Sequence, residues 1–148
     1  MNPLIRQPVV YGLFPCNDNR CLLHINGYIT PCHSFEFMCR ERKITWVYNR
    51  RFTCCSKNVV YMLLCTKDPN NYIGHTGDLR PRSNNSKSMV RNNDGTLYLY
   101  PTHFNQCADG KEPYFFIYPF YFVDDAKQRE FTESRFIKRF KPTLNGKR

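Results

Sequence analysis

Three groups of side chains in this sequence have the types and spacings that do chemistry. The first is Cys16-x4-Cys21-x2-His24, followed by Cys32 and His33. Thiolate and imidazole are the donors of a tetrahedral Zn²⁺, so Cys16, Cys21, His24 and Cys32 or His33 make one candidate site. The spacing is irregular, and buried or merely free cysteines stand as the alternative. Cys39, Cys54 and Cys55 have no evident partners in the sequence. The second group centres on Glu133. With a helix turning about 100° per residue and Glu133 at zero, Phe136 falls near about −60°, Phe140 near about −20° and Ile137 near about +40°. The carboxylate thus sits in the middle of an apolar stripe, where it needs a cation, a proton or a strong donor. A divalent metal and an Arg from another element both satisfy that need. The third group is Tyr61, inside an aliphatic run, with Tyr72 further on and Arg82 three residues beyond Leu79. Two such tyrosines are ordinary core-edge packing on general grounds, whereas the planar fork of an arginine on a half-apolar face suits a phosphate.

The elements that must position these residues are legible from Val59 onward. Val59-Val60-Tyr61-Met62-Leu63-Leu64-Cys65 is a continuous apolar run, the pattern of a strand buried on both faces. Asp68-Pro69-Asn70-Asn71 is turn chemistry, and Tyr72-Ile73-Gly74 follows as a second strand, so the two read as a hairpin. Asp78 is placed to cap a helix with Pro81 in its first turn, and Asn84-Asn85-Ser86 weakens it. Pro113 to Tyr118 reads as a strand, with Pro119 confining it to an edge or ending it. The clearest helix runs from Ala126 to Phe140, opened by Asp124-Asp125 and closed by Lys141-Pro142. The order is β-β-α-β-α: an α/β (α+β) fold with a small, mainly antiparallel three-stranded sheet flanked by helices. Residues 1–56 form a Cys-rich basic extension in which only Lys43 to Tyr48 has strand character, and 57–148 form the second unit.

The 148 residues carry a net charge of +10, from 22 Lys and Arg against 12 Asp and Glu. That excess points to a polyanionic partner. The basic residues fall in three clusters: Arg40, Arg42 and Lys43 with Arg50 and Arg51; Arg80, Arg82, Lys87 and Arg91; and Arg135, Lys138, Arg139, Lys141, Lys147 and Arg148. A basic surface without a partner is the plainer reading of the charge. No apolar run is long enough to span a membrane, and Met1 to Arg6 lacks the apolar stretch of a secretory signal. Eight cysteines in that context imply a reduced, intracellular setting.

In order and spacing, Val59-Val60-Tyr61, Tyr72-Ile73-Gly74, Thr76 to Arg82, Glu133 to Ile137 and Pro142 to Asn145 resemble the GIY-YIG nuclease family. The match covers residues 58–145, with Val59 where the family usually has Gly. Cys55-Ser56-Lys57-Asn58, the valine variant of the first motif and His103-Phe104-Asn105 are similar to the endonuclease region of Penelope-like retroelements. The resemblance implies a DNA endonuclease, a nickase, using Mg²⁺ or Mn²⁺ in a nuclear setting, with a reverse transcriptase of the same element as partner. Tyr61 matches the tyrosine that aligns or deprotonates the attacking water, and Tyr72 the one that holds the nucleophile or scissile phosphate. Gly74 matches the glycine of close backbone approach, and Arg82 the arginine that neutralises transition-state charge. Glu133 matches the single metal ligand, and Asn145 a supporting asparagine. Arg80, Lys87, Arg135 and Lys138 are the expected phosphate contacts beside them.

The departures count as well. Penelope-type domains carry a Cys-x-x-Cys and two later histidines for zinc. Here the second Cys is Asp68 and the first histidine position is Ser86, while His103 matches the second and Cys107 lies close to it. Ser83 stands where a core aliphatic is expected. A catalytically decayed DNA-binding remnant of such a nuclease is therefore the alternative.

Overall fold

The computed structural model describes residues 10–146. The Met1–Arg6 reading and the basic Lys147 and Arg148 lie outside the described residues.

Short pieces come first: β1 (Gly12–Phe14), α1 (Leu22–Ile25), β2 (Ser34–Cys39), β3 (Arg42–Val47) and β4 (Arg51–Thr53). Then follow β5 (Lys57–Leu64), β6 (Asn71–Asp78), α2 (Leu79–Arg91), α3 (Tyr100–Ala108), β7 (Phe116–Phe122) and α4 (Ala126–Phe140). The apolar run forms β5, at the centre of a three-stranded antiparallel sheet ordered β6-β5-β7. A strand flanked on both sides, with Val59 to Leu63 all buried, is what an unbroken apolar run produces. The expected hairpin is present: Tyr61 pairs with Gly74 and Leu63 with Tyr72. Two smaller sheets complete the set, an antiparallel β2-β3 hairpin and a short parallel β1-β4 pair. Among the described residues the fold is thus a small mixed α/β structure of four helices and seven strands, with the mainly antiparallel three-stranded sheet that the sequence implies.

The helix over Ala126 to Phe140 has the expected bounds. Asp125 caps it by accepting from the Gln128 amide at 2.9 Å, and Lys141 ends it in the left-handed region at φ 49°. It packs on β5 and β6. α2 runs through Asn84-Asn85-Ser86 without interruption, because Asn84 and Asn85 face solvent and buried Ser86 shares a 2.9 Å hydrogen bond with the Tyr100 hydroxyl.

Three expectations are corrected. The strand read over Pro113 to Tyr118 lies later, at Phe116–Phe122, and continues through Pro119. It can do so because β7 is an edge strand and the register shifts between Val60 and Tyr61, opposite the proline. α3 is additional; Tyr100, Phe104 and Ala108 mark its buried face at four-residue spacing. The described residues of the front end hold four strands and a helical turn where the sequence indicated one strand. Its β2 joins the same hydrophobic cluster as the sheet: Phe35 stacks on Tyr118 at 4.4 Å and Phe37 meets Phe140 edge-on at 4.9 Å.

Candidate functional site

β5 and β6 set two tyrosines on one face of the sheet. Tyr61 is buried in the middle of β5, and its ring lies across Gly74 on β6. A Cβ at Gly74 would sit 2.6 Å from the Tyr61 hydroxyl and 3.0 Å from the Tyr72 ring, so only glycine admits both tyrosines. Arg82, one turn into α2, brings its guanidinium beside the Tyr61 hydroxyl, and the charges of both Arg82 and Glu133 act on that phenol. Tyr72 in turn feels Tyr61 and Glu133. Residues spread over more than seventy positions therefore meet on one surface.

Burial dominates the protonation of this group. It pushes both phenols above their ordinary range; for Tyr61 only Arg82 acts the other way. The phenols are consequently neutral donors at neutral pH. Glu133 is pushed up to about 7, chiefly by burial and next by the charge of Glu130, with Arg82 opposing. The sequence placed Glu133 centrally in the apolar stripe. The structure sets it half-buried, with Phe136 and Ile137 also half-buried and Phe140 fully so. No arginine pairs with it among the described residues; its near neighbour is His75, whose Nε2 lies 3.6 Å from the carboxylate. The His75 pKa is lowered by burial and then by Arg129, which leaves the ring neutral, and its buried Nδ1 has no hydrogen-bond partner. The carboxylate is thus largely desolvated and has no cation fixed beside it among the described residues.

Asn145 acts from the edge. β6 is an outer strand, and Asn145 accepts from the Ile73 amide and donates to the Ile73 carbonyl, both at 2.8 Å. Thr143 Oγ1 and the Leu144 amide bond the Asn71 backbone at 3.1 and 2.9 Å. The 143–145 segment thus covers the outer edge of β6 on either side of Tyr72 and holds it in register.

The expected phosphate contacts divide. Arg135 and Lys138 are exposed on α4. Arg80 is tied at 2.8 Å to Asp18. Lys87 is buried, 3.4 Å from Glu112 and 4.8 Å above the Tyr28 ring, so it does not face solvent as expected. A basic cleft of about 510 Å³ joins Arg40 and Arg42 of the front end to Arg139 and Lys141, two clusters the sequence keeps apart.

Among the described residues two groups of donors could hold a metal ion, each with its ligand atoms within 4.8 Å of one another. Cys16, Cys21 and His24 gather as expected, but the fourth member is Cys54 rather than Cys32 or His33. Cys32 is instead bridged to Leu13 by two backbone hydrogen bonds, and His33 Nδ1 meets the Tyr11 carbonyl at 2.9 Å. The second group is Cys65, Asp68, His103 and Cys107. His103 Nε2 is 2.9 Å from Asp68 and 3.6 Å from Cys107 Sγ, and burial raises the Cys107 thiol to about 11. Ser86 is occupied with Tyr100 and takes no part.

Sequence reasoning missed His75, Cys54 and Arg129. Arg129 is buried one turn before Glu133, where it donates to Asn58, Val123 and Asp124 at 3.0 to 3.4 Å. Its spacing from Phe136 and Phe140 on the helix was the available signal; His75 and Cys54 carried none. No helix among the described residues is long and apolar enough to cross a membrane. No protein-family model, curated protein or solved structure matches this chain.

Proposed function

We propose that this chain is a metal-dependent DNA endonuclease of GIY-YIG type that hydrolyses one phosphodiester strand. The meeting of Tyr61, Tyr72, Arg82 and Glu133, drawn from β5, β6, α2 and α4, on one face of the sheet carries this reading. Water attacks phosphorus, the bond to the 3′ oxygen breaks, and a 3′-hydroxyl and a 5′-phosphate result. Mg²⁺ or Mn²⁺ held by Glu133 would supply charge stabilisation for the departing oxygen. Arg82 neutralises charge on the phosphate as it builds. Tyr61 and Tyr72, held neutral by burial, orient water and phosphate by donating hydrogen bonds. His75 faces the Glu133 carboxylate at 3.6 Å.

The basic cleft and the exposed Arg135 and Lys138 support a duplex phosphate backbone as the partner. Cys65, Asp68, His103 and Cys107 support a Zn²⁺ ion in the place where the Penelope-type resemblance sets two cysteines and two histidines.

Supercoiled plasmid incubated with the protein should become open circles in Mg²⁺ and stay supercoiled in EDTA. Glu133→Ala should stop nicking while binding persists. Undiminished nicking by that variant would refute the assigned metal ligand. A parent protein that binds DNA and never nicks it would establish the DNA-binding remnant instead.

A further inference from the structure

The front end gathers three thiols and an imidazole from well-separated positions. Cys16 follows β1, Cys21 is the N-cap of α1, His24 lies on α1, and Cys54 lies on the turn between β4 and β5. His24 Nδ1 is 3.7 Å from Cys16 Sγ and 3.5 Å from Cys54 Sγ. A tetrahedral Zn²⁺ at about 2.3 Å from sulfur and about 2.05 Å from nitrogen sets those two donors about 3.6 Å apart. Both observed edges lie within about 0.2 Å of that value. Cys21 and Cys54 are fully buried while Cys16 and His24 are half-buried, so the four enclose a point at the margin of the core. Apolar packing alone gives no reason for an imidazole nitrogen to turn toward two sulfurs.

The elements involved need such a tie. α1 has four residues, and β1 pairs with the three-residue β4 and, through Leu13 alone, with Cys32. A single helical turn and a three-residue pair are too short to persist by their own hydrogen bonds. The Cys16–Cys21 loop also reaches α2, because Asp18 accepts from Arg80 at 2.8 Å, and the same guanidinium lies 3.9 Å from Cys55 Sγ. Cys54 stands three residues before Lys57, where β5 begins.

We propose that Cys16, Cys21, His24 and Cys54 form a structural Zn²⁺ centre that clasps the front end to the start of β5 and to α2. The proposal is independent of nuclease activity. Its four ligands leave no open position for substrate, so the ion is structural.

Zinc content of the full chain, reconstituted with Zn²⁺ under reducing conditions and dialysed, tests it. Cys54→Ser should lose about one equivalent relative to the parent, while Cys32→Ser and Cys55→Ser should lose none. If Cys54→Ser does not fold, His24→Cys decides. That variant should retain the ion, and its Co²⁺-loaded form should show a stronger thiolate-to-metal absorption band than the parent. Zinc content unchanged by Cys54→Ser, an unchanged Co²⁺ band in His24→Cys, or a folded reduced parent without zinc would each overturn the proposal. A disulfide among Cys16, Cys21 and Cys54 in freshly purified protein would do so too.

Discussion

Replacing Glu133 by Gln in metal-free protein isolates the cost of burying its charge. The folded protein holds the Glu133 proton to about pH 7, against an ordinary value of 4.5. A tenfold change in proton affinity is worth about 1.4 kcal/mol, so the full difference is about 3 kcal/mol. The side chain keeps about a fifth of its surface in water, 21%, and screening reduces the expected effect to about 1–2 kcal/mol. Between pH 4.5 and about 7 the folded chain binds more protons than the unfolded one. The favourable contribution of this carboxyl is therefore complete below the lower value and lost as pH rises through the upper. Glu133→Gln lacks the titration, so its stability relative to the parent should rise by that amount between pH 5 and pH 8 in EDTA. His75 titrates in both proteins and largely cancels from the comparison. Urea unfolding reads the effect as a relative midpoint change of about 0.5–1 M. Adding Mg²⁺ at pH 8 should restore the parent and leave the variant unmoved. A stability difference that is the same at both pH values would refute the desolvated carboxylate, and with it the argument that this site wants a cation.

Gly74→Ala should destabilise the fold by about 1–3 kcal/mol in thermal or urea unfolding, because its Cβ would meet the Tyr61 hydroxyl at 2.6 Å and the buried ring has nowhere to go. Asn145→Ala strips two hydrogen bonds from Ile73 and should cost about 1–3 kcal/mol, with faster amide exchange at Ile73 by NMR. Arg135→Ala should weaken DNA binding and flatten its salt dependence by about one charge. Lys87→Ala should leave that slope unchanged and lower stability, because its ammonium faces Glu112 and Tyr28.

Elements whose signal is local were readable from the residues. β5 follows from an unbroken apolar run, and α4 from its caps and its apolar stripe. β7 lies beyond the expected strand because Pro119 looks like a terminator, and only the bulge opposite it shows how a proline fits. α3 was missed although Tyr100, Phe104 and Ala108 are spaced for a helix, since Pro101, Asn105 and Gln106 between them dilute the pattern. For the site, types were legible and partners were not. Glu133 could be placed in an apolar stripe, yet nothing local tells that His75 faces it. Lys87 looked like one more surface cation because its burial depends on Glu112 and Tyr28, both distant in sequence. Cys54 joins Cys16 only through the return of the chain along β4, which no spacing within residues 16–33 records.

The motif departures have a physical reading in the second donor group. A histidine at position 86 would have to share the space where Ser86 meets the Tyr100 hydroxyl at 2.9 Å. The fourth donor comes instead from α3, where Cys107 stands one turn beyond His103 and their donor atoms are 3.6 Å apart. Residues four apart share a helix face, so a single short helix supplies two ligands without moving its neighbours. Asp68 stands on the β5–β6 turn where the resemblance expects a cysteine, and it accepts from the Asn70 amide at 2.9 Å and faces His103. A carboxylate oxygen is a zinc donor of nearly the same reach as imidazole nitrogen. The donor types differ from those the resemblance implies, and four of them meet here. Two of them come from the turn that sets β6 against β5, and two from the helix beside Tyr100 and Tyr72. An ion there would pin that turn to α3, and through Tyr100 it would brace Tyr72 at the edge of the candidate site. Four donors thus meet where the resemblance expects two cysteines and two histidines.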